Sequence, residues 1–258
     1  MTPLTRALKV AAASDVVLVA SDYDGTLAPI VANPDHAYPD SRALAALVSL
    51  GALPGTHAAM LSGREVAVLE RLTGGSPGVE LVGSHGAEQS GRVPDIDSQA
   101  REDLAGVHDR MVALCDEFAG SRVETKPAGV AFHYRNVETV RQPAAEAAAR
   151  RIGLDYPGLA MLEGKRVIEY VGSKTNKGQA LLTLRNRWGA DVVVFIGDDV
   201  TDEDAFALLR PVDVGIKVGP ETTHAKFRVD TQTHVAAVLE SLLAFRRDGQ
   251  EVIRSGCR

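Results

Sequence analysis

The chain has 258 residues, of which 45% are apolar and 24% are charged, and its formal net charge is −6. This length suffices for one large domain or for a core with a smaller domain, and the composition is ordinary for a soluble globular protein. The negative charge argues against a general nucleic-acid binder, whereas a small phosphorylated metabolite needs only a few local cations.

Neither the cysteines nor the apolar segments indicate a zinc-binding, disulfide-rich or membrane-spanning protein. Cys115 and Cys257 lie far apart and have no CxxC neighbour, so the sequence shows no zinc motif and little sign of a disulfide framework. The apolar run VVLVA is too short to span a membrane, and no clear cleavage site follows it. We expect a cytoplasmic monomer without a nucleic-acid or membrane partner.

The first part of the chain alternates apolar runs with helical patterns. DVVLVA at 15–20 is a continuous, β-branched run, as in a strand buried on both faces of a parallel sheet. A helix is predicted over 39–51, a second strand over 56–64, a short helix over 64–75 and a third strand over 79–88. This alternation predicts a doubly wound, mostly parallel α/β core of the Rossmann-like type.

The pattern changes after the third strand. An amphipathic helix is predicted over 99–118, and residues 121–137 then alternate by twos around a turn at 127–129, which indicates a β-hairpin. A further helix follows Pro143, and a second hairpin turns at Gly164. The order helix, hairpin, helix, hairpin predicts a small α+β module with two helices on an antiparallel sheet.

The doubly wound pattern resumes after this module. Asn176 is a suitable N-cap for a helix, DVVVFIGDD at 191–199 is another buried strand, and Thr201 is a possible cap for the short helix that follows. A further strand and a closing helix complete the pattern. The expected domains are a core of residues 1–97 and 173–258 and an inserted α+β module of residues 98–172.

Four segments fall at the carboxyl ends of core strands or at a helix start, where ligands bind in open α/β sheets. They are DYDGT at 22–26, LSGR at 61–64, Lys177, and GDDVTDED at 197–204. Each alone has a plain explanation, such as a turn, a turn serine, a solvated lysine or an acidic helix entry. Their joint occurrence in this order predicts a site that binds a cation and a phosphate group.

These segments resemble the four motifs of the haloacid-dehalogenase-like phosphohydrolases. The GDD and TDED form of the last motif, with SHGAE at 84–88 and the E-K and HYR pattern of the first hairpin, is more narrowly similar to the trehalose-6-phosphate phosphatases. The similarity extends over nearly the whole chain. It implies a haloacid-dehalogenase core with an inserted cap domain, and hydrolysis of trehalose 6-phosphate to trehalose and phosphate, in trehalose biosynthesis, through an aspartyl-phosphate.

The residue types suit that chemistry. Asp22 is the expected nucleophile, because a carboxylate that attacks phosphorus divides a very slow hydrolysis into two displacements. Asp24 would protonate the leaving sugar oxygen and then deprotonate the attacking water, which requires a neutral Asp24 beside an ionised Asp22. Ser62 and Lys177 would hold the phosphate, and Arg64 would either help them or form a structural salt bridge with the aspartates.

A divalent cation is needed to hold an anionic nucleophile against an anionic phosphate, and oxygen-only ligands suit Mg²⁺. No cluster of Cys and His competes for zinc. The expected ligands are Asp22, the main-chain carbonyl of Asp24, Asp198, and Asp199 or Asp202, directly or through water.

The inserted module would close over the site, exclude water and bind the sugar. The resemblance assigns sugar contacts to Glu124, Lys126, Arg135 and Glu169. The set of expected substrate-binding residues is completed by Gly63, Arg64, His85, Gly86 and His133. Two alternatives stay open for these residues, since the polar strand face can be merely solvated and His133 can simply pair with Glu124.

Other functions also stay open. A phosphatase of the same superfamily that acts on sucrose phosphate or mannosylphosphoglycerate would use the same core and the same type of cap. A phosphomutase would have to protect the aspartyl-phosphate from water, and no obvious segment does so. A non-catalytic sugar-phosphate-binding partner of a synthase would have no use for the complete set of Asp22, Asp24, Ser62, Lys177 and Asp198.

Overall fold

The structure is a computed structural model that describes residues 1–89, 96–172 and 175–256. Cys257 and the predicted domain boundary at residue 173 lie outside the described residues. In chain order, the described strands are β1 (Val17–Ser21), β2 (Thr56–Leu61), β3 (Val79–Gly83), β4 (Glu88–Gln89), β5 (Arg122–Lys126), β6 (Gly129–His133), β7 (Ala160–Gly164), β8 (Val167–Val171), β9 (Val192–Gly197), β10 (Val214–Val218) and β11 (Phe227–Val229). The described α-helices are α1 (Pro3–Ala12), α2 (Ser41–Gly51), α3 (Val66–Thr73), α4 (Ser98–Glu117), α5 (Gln142–Ile152), α6 (Lys177–Trp188), α7 (Glu203–Ala207) and α8 (Val235–Gly256).

The larger sheet has the strand order β11-β10-β9-β1-β2-β3-β4. Its neighbours are parallel, except that β3 and β4 are antiparallel. From β1 the chain proceeds to β2 and β3 on one side, and later to β9 and β10 on the other. The crevice at the carboxyl ends of β1 and β9 is therefore the switch point at which open α/β sheets bind ligands.

Helices cover both faces of this sheet, which is why its central strands are continuous apolar runs. Val17 and Val19 of β1 pack with helices α1, α2, α3 and α8, whereas Leu18 and Ala20 pack with α6 and α7. The predicted doubly wound, mostly parallel core is thereby confirmed. Within the described residues, none of the helices combines the length and the apolarity that crossing a membrane requires.

A separate antiparallel sheet has the strand order β5-β6-β8-β7. Val130 and Phe132 of β6 pack on one face against α4 and α5, together with Ile168 and Tyr170 of β8. Glu124, Ala131 and Glu169 are in register across β5, β6 and β8, so they share the opposite face. The predicted hairpins and helices are confirmed, and the described helices α4 and α5 pack on the apolar face rather than on the polar one.

Some local expectations differ from the structure. Thr201 is not the helix cap, because Asp199 caps a short 3₁₀ turn and Asp202 completes a reciprocal capping box with it. Helix α1 was not predicted, although Thr2 caps it and it buries Leu8. The short strands β4 and β11 were also not predicted, because two or three residues carry no usable alternation.

Candidate active site

The loops after β1 and β9 carry two buried aspartates to the switch point. The Asp22 N–H donates to the Ile196 carbonyl at 2.8 Å, which ties the two loops together. Gly25 makes their approach possible, because its φ is +85° and an added Cβ would lie 2.1 Å from Asp198 Oδ2. Asp22 and Asp198 each retain only 4% of their accessible surface.

Lys177 is buried at the start of α6, directly after the N-cap Asn176. Its Nζ donates to Asp22 Oδ1 at 2.6 Å and to Asp202 Oδ1 at 2.8 Å. Burial alone would lower the pKa of Lys177, but the charges of Asp202 and Asp22 outweigh it and raise the pKa. Burial raises the pKa of Asp22 despite the opposing charge of Lys177, and further positive charge nearby would favour its ionised form.

The side chains at this point fit a divalent cation. Asp22, Asp198 and Asp202 each offer a carboxylate oxygen, and these oxygens lie within 4.8 Å of one another. Asp198 Oδ1 is buried and has no hydrogen-bond partner among the described residues, while Lys165 contacts Asp198 Oδ2. An oxygen-only set with an unpartnered carboxylate atom is suited to Mg²⁺.

The two other acidic residues predicted as metal ligands have different surroundings. Asp199 accepts a hydrogen bond from the Val200 N–H at 2.9 Å and does not join the carboxylate cluster of the described residues. Arg64 donates two hydrogen bonds of 2.6 Å to the two carboxylate oxygens of Asp24. Of the two roles considered for Arg64, the structure shows the salt bridge.

This salt bridge bears on the predicted acid role of Asp24. Both of its carboxylate oxygens accept from Arg64, whereas that role needs one of them to contact the leaving sugar oxygen. The guanidinium also lies 5.5 Å from the centre of the Tyr23 ring, which holds it in place. Asp24 can therefore reach a leaving sugar oxygen only after its contact with Arg64 opens.

The loops after β2 and β3 form the next part of the site. Ser62 is buried, its Oγ accepts from the Arg64 N–H at 3.1 Å, and its carbonyl accepts from the His85 N–H at 2.9 Å. Ser84 and His85 have φ values of 48° and 54°, in the left-handed region that non-glycine residues rarely adopt. Such backbone strain is often found at functional sites.

Gly63 and Gly86, the two glycines predicted to bind substrate, pack against different neighbours. An added Cβ at Gly63 would lie 2.6 Å from His85 Nε2, so the imidazole packs directly on the Gly63 backbone. An added Cβ at Gly86 would lie 2.9 Å from the Asn176 carbonyl, so Gly86 packs against the start of α6.

The polar face of the small sheet contacts these loops. Lys126 Nζ donates to the Gly63 carbonyl at 2.8 Å and to Glu169 Oε2 at 2.5 Å, and His85 Nε2 lies 3.5 Å from the same Glu169 oxygen. Burial alone would raise the pKa of Glu169, but Lys126 and His85 outweigh it and lower the pKa to about 2. The two sheets thus meet through a buried, charged contact.

Two further predicted residues lie near the edge of this face. His133 Nε2 lies 2.6 Å from Glu124 Oε2, and this hydrogen bond lowers the pKa of Glu124. The pairing considered as an alternative for His133 is therefore present. Arg135 is exposed, and its guanidinium donates to the Lys165 carbonyl at 3.0 Å.

A cavity of about 450 Å³ lies between the two sheets. All the residues predicted for the site line it, except Gly86 and Asp202. The sequence interpretation missed Lys165, at the tip of the β7–β8 hairpin, and the cavity wall formed by Ile30, Val31 and Pro34. The sequence signal for Lys165 was its basic side chain in the turn at Gly164. Its contact with Asp198 could not be predicted, because that contact depends on how the two sheets pack.

Comparisons with known proteins agree with this arrangement. The family model described as trehalose-phosphatase matches residues 20–237. The chain is 36% identical over 234 residues to the bifunctional trehalose-6-phosphate synthase/phosphatase of Thermoproteus tenax, covering 87% of this chain and 32% of that protein. It is 30% identical over 260 residues to trehalose-phosphate phosphatase B of Arabidopsis thaliana, covering 92% of this chain and 69% of that protein.

A solved structure has the same fold. It is the C-terminal domain of trehalose-6-phosphate phosphatase from C. albicans, with a TM-score of 0.82 and 24% identity, covering 94% of this chain and 97% of that one. The chain thus spans nearly all of this domain, but only about a third of the bifunctional Thermoproteus protein.

Proposed function

This chain belongs to the trehalose-phosphatase family, and on that basis we propose that it hydrolyses trehalose 6-phosphate to trehalose and inorganic phosphate with Mg²⁺ as its cofactor. The observation that carries this proposal is the layout of the cavity. At its base, Lys177 joins Asp22 to Asp202, and at its roof the small sheet presents hydrogen-bonding side chains. A phosphate group and a polyhydroxyl group can therefore be bound at opposite ends.

The first chemical step is a displacement at phosphorus. An Asp22 carboxylate oxygen attacks, the bond from phosphorus to the sugar oxygen breaks, and a phosphorylated Asp22 forms. The sugar oxygen takes its proton from Asp24, which lines the cavity beside Asp22. Because both carboxylate oxygens of Asp24 accept hydrogen bonds from Arg64, this role requires their ion pair to open when substrate enters.

The second step is hydrolysis of the phosphorylated Asp22. Asp24, now a carboxylate, accepts a proton from water as the water oxygen attacks phosphorus, and the bond to Asp22 breaks. Lys177 and the Ser62 hydroxyl stay beside the phosphoryl oxygens in both steps, where their fixed positions stabilise the developing charge. The products are inorganic phosphate and a regenerated Asp22.

Asp22, Asp198 and Asp202 are the proposed cation ligands, supported by the mutual distances of their oxygens. The Asp24 main-chain carbonyl and Asp199, the latter through water, complete the proposed set. When bound, Mg²⁺ would neutralise part of the phosphate charge and favour the ionised form of Asp22.

We propose that residues 98–172 act as a cap that selects the sugar. Lys126, Glu169 and Lys165 contact residues of the core loops, so the entry of a disaccharide requires the two sheets to separate. Once substrate is bound, Lys126 and Glu169 would exchange these contacts for sugar hydroxyls, and Glu124 and Arg135 would contact the sugar as well. Closure would then exclude water from the phosphate.

The first experiment separates an enzyme from a binding module. Phosphate release from trehalose 6-phosphate is measured with Mg²⁺ for the unaltered protein and for Asp22→Asn, with Asp116→Asn on the exposed face of α4 as the matched control. We expect turnover in the unaltered protein and in the control, and none in Asp22→Asn. Tight sugar-phosphate binding without any hydrolysis would instead favour a non-catalytic partner.

The expected monomer and cytoplasmic location stay predictions. Light scattering on the purified protein tests the first. Fractionation of the cells that express it tests the second.

A further inference from the structure

A buried lysine lies outside the cavity but next to the acidic cluster. Lys217 belongs to β10, whose five residues VGIKV are all buried, and Lys217 retains 2% of its accessible surface. It is paired in register with Gly197, the residue directly before Asp198. Burying an ammonium group costs free energy unless the group is paired, so the partners of Lys217 indicate what this side chain does.

The partners of Lys217 belong to the segment that holds the candidate metal ligand. Its Nζ donates to the main-chain carbonyl of Asp198 at 2.8 Å and to that of Asp199 at 3.4 Å. Lys217 does not line the cavity, so it has no direct access to substrate. Its action on the site therefore passes through the backbone of Asp198 and Asp199.

The main-chain amides of the same two residues, Asp198 and Asp199, are held by Asp202. The N–H groups of Asp198 and Asp199 both donate to Asp202 Oδ2 at 2.9 Å. Asp202 packs directly on Gly197, where an added Cβ would lie 2.4 Å from the Asp202 carboxyl carbon. Lys217 and Asp202 thus fix the carbonyls and the amides of one short segment.

Glu203 balances the charge of Lys217. Lys217 Nζ lies 3.5 Å from Glu203 Oε1, and Glu203 Oε2 accepts from the His224 N–H at 2.8 Å and from the Thr223 hydroxyl at 3.2 Å. The ammonium group therefore sits between a carboxylate on one side and two peptide carbonyls on the other.

We propose that Lys217 is a positioning residue that sets the direction of the Asp198 carboxylate for cation binding. The inference rests on the cation site of the proposed function. Mg²⁺ demands near-ideal octahedral geometry, so a small shift of one ligand weakens binding. Residues that hold metal ligands from behind commonly contribute 10- to 100-fold to affinity, and we expect a loss of about that size when Lys217 is replaced.

Replacement of Lys217 alone would also remove a positive charge that repels the cation, which acts in the opposite direction. The test therefore uses the charge-matched double variant Lys217→Met with Glu203→Gln, and Glu203→Gln alone as its control. Binding of Mn²⁺ to each substrate-free protein is measured from the free-ion signal in electron paramagnetic resonance. The Mg²⁺ dependence of phosphate release is measured in parallel.

We expect the double variant to bind Mn²⁺ about 10- to 100-fold more weakly than the unaltered protein, while Glu203→Gln alone stays within about threefold. The midpoint for Mg²⁺ should rise by the same factor, with kcat recovered at saturating Mg²⁺ and KM for substrate unchanged. A purely structural role would lower kcat or the melting temperature without moving this midpoint.

Unchanged or tighter Mn²⁺ binding in the double variant would overturn the inference, as would an equal loss in Glu203→Gln alone. If the double variant does not fold, Lys217→Gln with Glu203→Gln is titrated in its place, and the same outcomes decide. If the unaltered protein binds neither Mn²⁺ nor Mg²⁺, the cation site of the proposed function fails instead.

Discussion

Replacement of Glu169 by glutamine tests the charged contact between the two sheets. In the folded protein the pKa of Glu169 is about 2, against an ordinary value of 4.5. Because the folded pKa is the lower one, the ionised carboxylate adds stability above pH 4.5, and this stability is lost as the pH falls toward 2. A pKa difference of about 2.5 contributes about 3 kcal/mol to the free energy of unfolding at neutral pH, and about 2 kcal/mol of this contribution is lost by pH 3.

The assay is urea unfolding of the unaltered protein and of Glu169→Gln between pH 7 and pH 3. The unaltered protein should be the more stable at pH 7, and its advantage should shrink by about 2 kcal/mol at pH 3. Glu163→Gln is the matched control, since Glu163 lies on the neighbouring strand with a side chain that is 40% exposed. If the difference in free energy of unfolding between the unaltered protein and Glu169→Gln stays constant to within about 0.5 kcal/mol from pH 7 to pH 3, the buried ion pair is refuted.

Three further predictions concern the base of the cavity. Lys177→Met should lower kcat by about 100-fold or more, because it removes the positive charge shared by Asp22 and Asp202. Steady-state kinetics at saturating Mg²⁺ measure this, and a fall in kcat of less than tenfold would contradict the prediction. Lys165→Met should tighten Mn²⁺ binding several-fold, because Lys165 competes with the cation for Asp198; a weaker affinity would argue against competition. Removal of divalent cations with EDTA should abolish phosphate release, Mg²⁺ should restore it, and activity that persists in EDTA would contradict the role given to the acidic cluster.

The framework of the site could be predicted from sequence because its signals are local. The strand β1 is buried on both faces and therefore appears as an uninterrupted apolar run, and Asp22 follows directly. Asn176 precedes α6 and caps it, as its side chain suggested. Such features depend on residues a few positions apart, which a single sequence displays.

The contacts that modify the chemistry could be predicted only in part, since the sequence left a salt bridge with the aspartates as one of two open roles for Arg64 and gave no role to Lys165. Arg64 reaches Asp24 across 40 positions of sequence, and Lys165 reaches Asp198 across 33. Each depends on how two loops or two sheets pack, and a lone arginine or lysine carries no sign of its partner. The contact of Asp24 with Arg64, which the mechanism needs to open, is therefore defined only in three dimensions.

Lys217 shows a different limit. Within VGIKV it interrupts an otherwise apolar strand, and a strand buried on both faces gives a lysine no route to water. The sequence interpretation treated the segment only as a strand and gave the lysine no role. Its significance follows from the carbonyls of Asp198 and Asp199, which come within reach only when β9 and β10 pair in register.

The central claim is that the cavity selects a disaccharide phosphate for hydrolysis at Asp22. The most direct measurement is kcat/KM for phosphate release with Mg²⁺ from trehalose 6-phosphate, sucrose 6-phosphate, glucose 6-phosphate and mannosylphosphoglycerate, with Asp22→Asn as the blank. We predict that trehalose 6-phosphate is preferred by at least about 100-fold, since several hydrogen bonds from the small sheet would be left unmade with the other substrates. Equal turnover of all four substrates, or a clear preference for one of the other three, would contradict the claim.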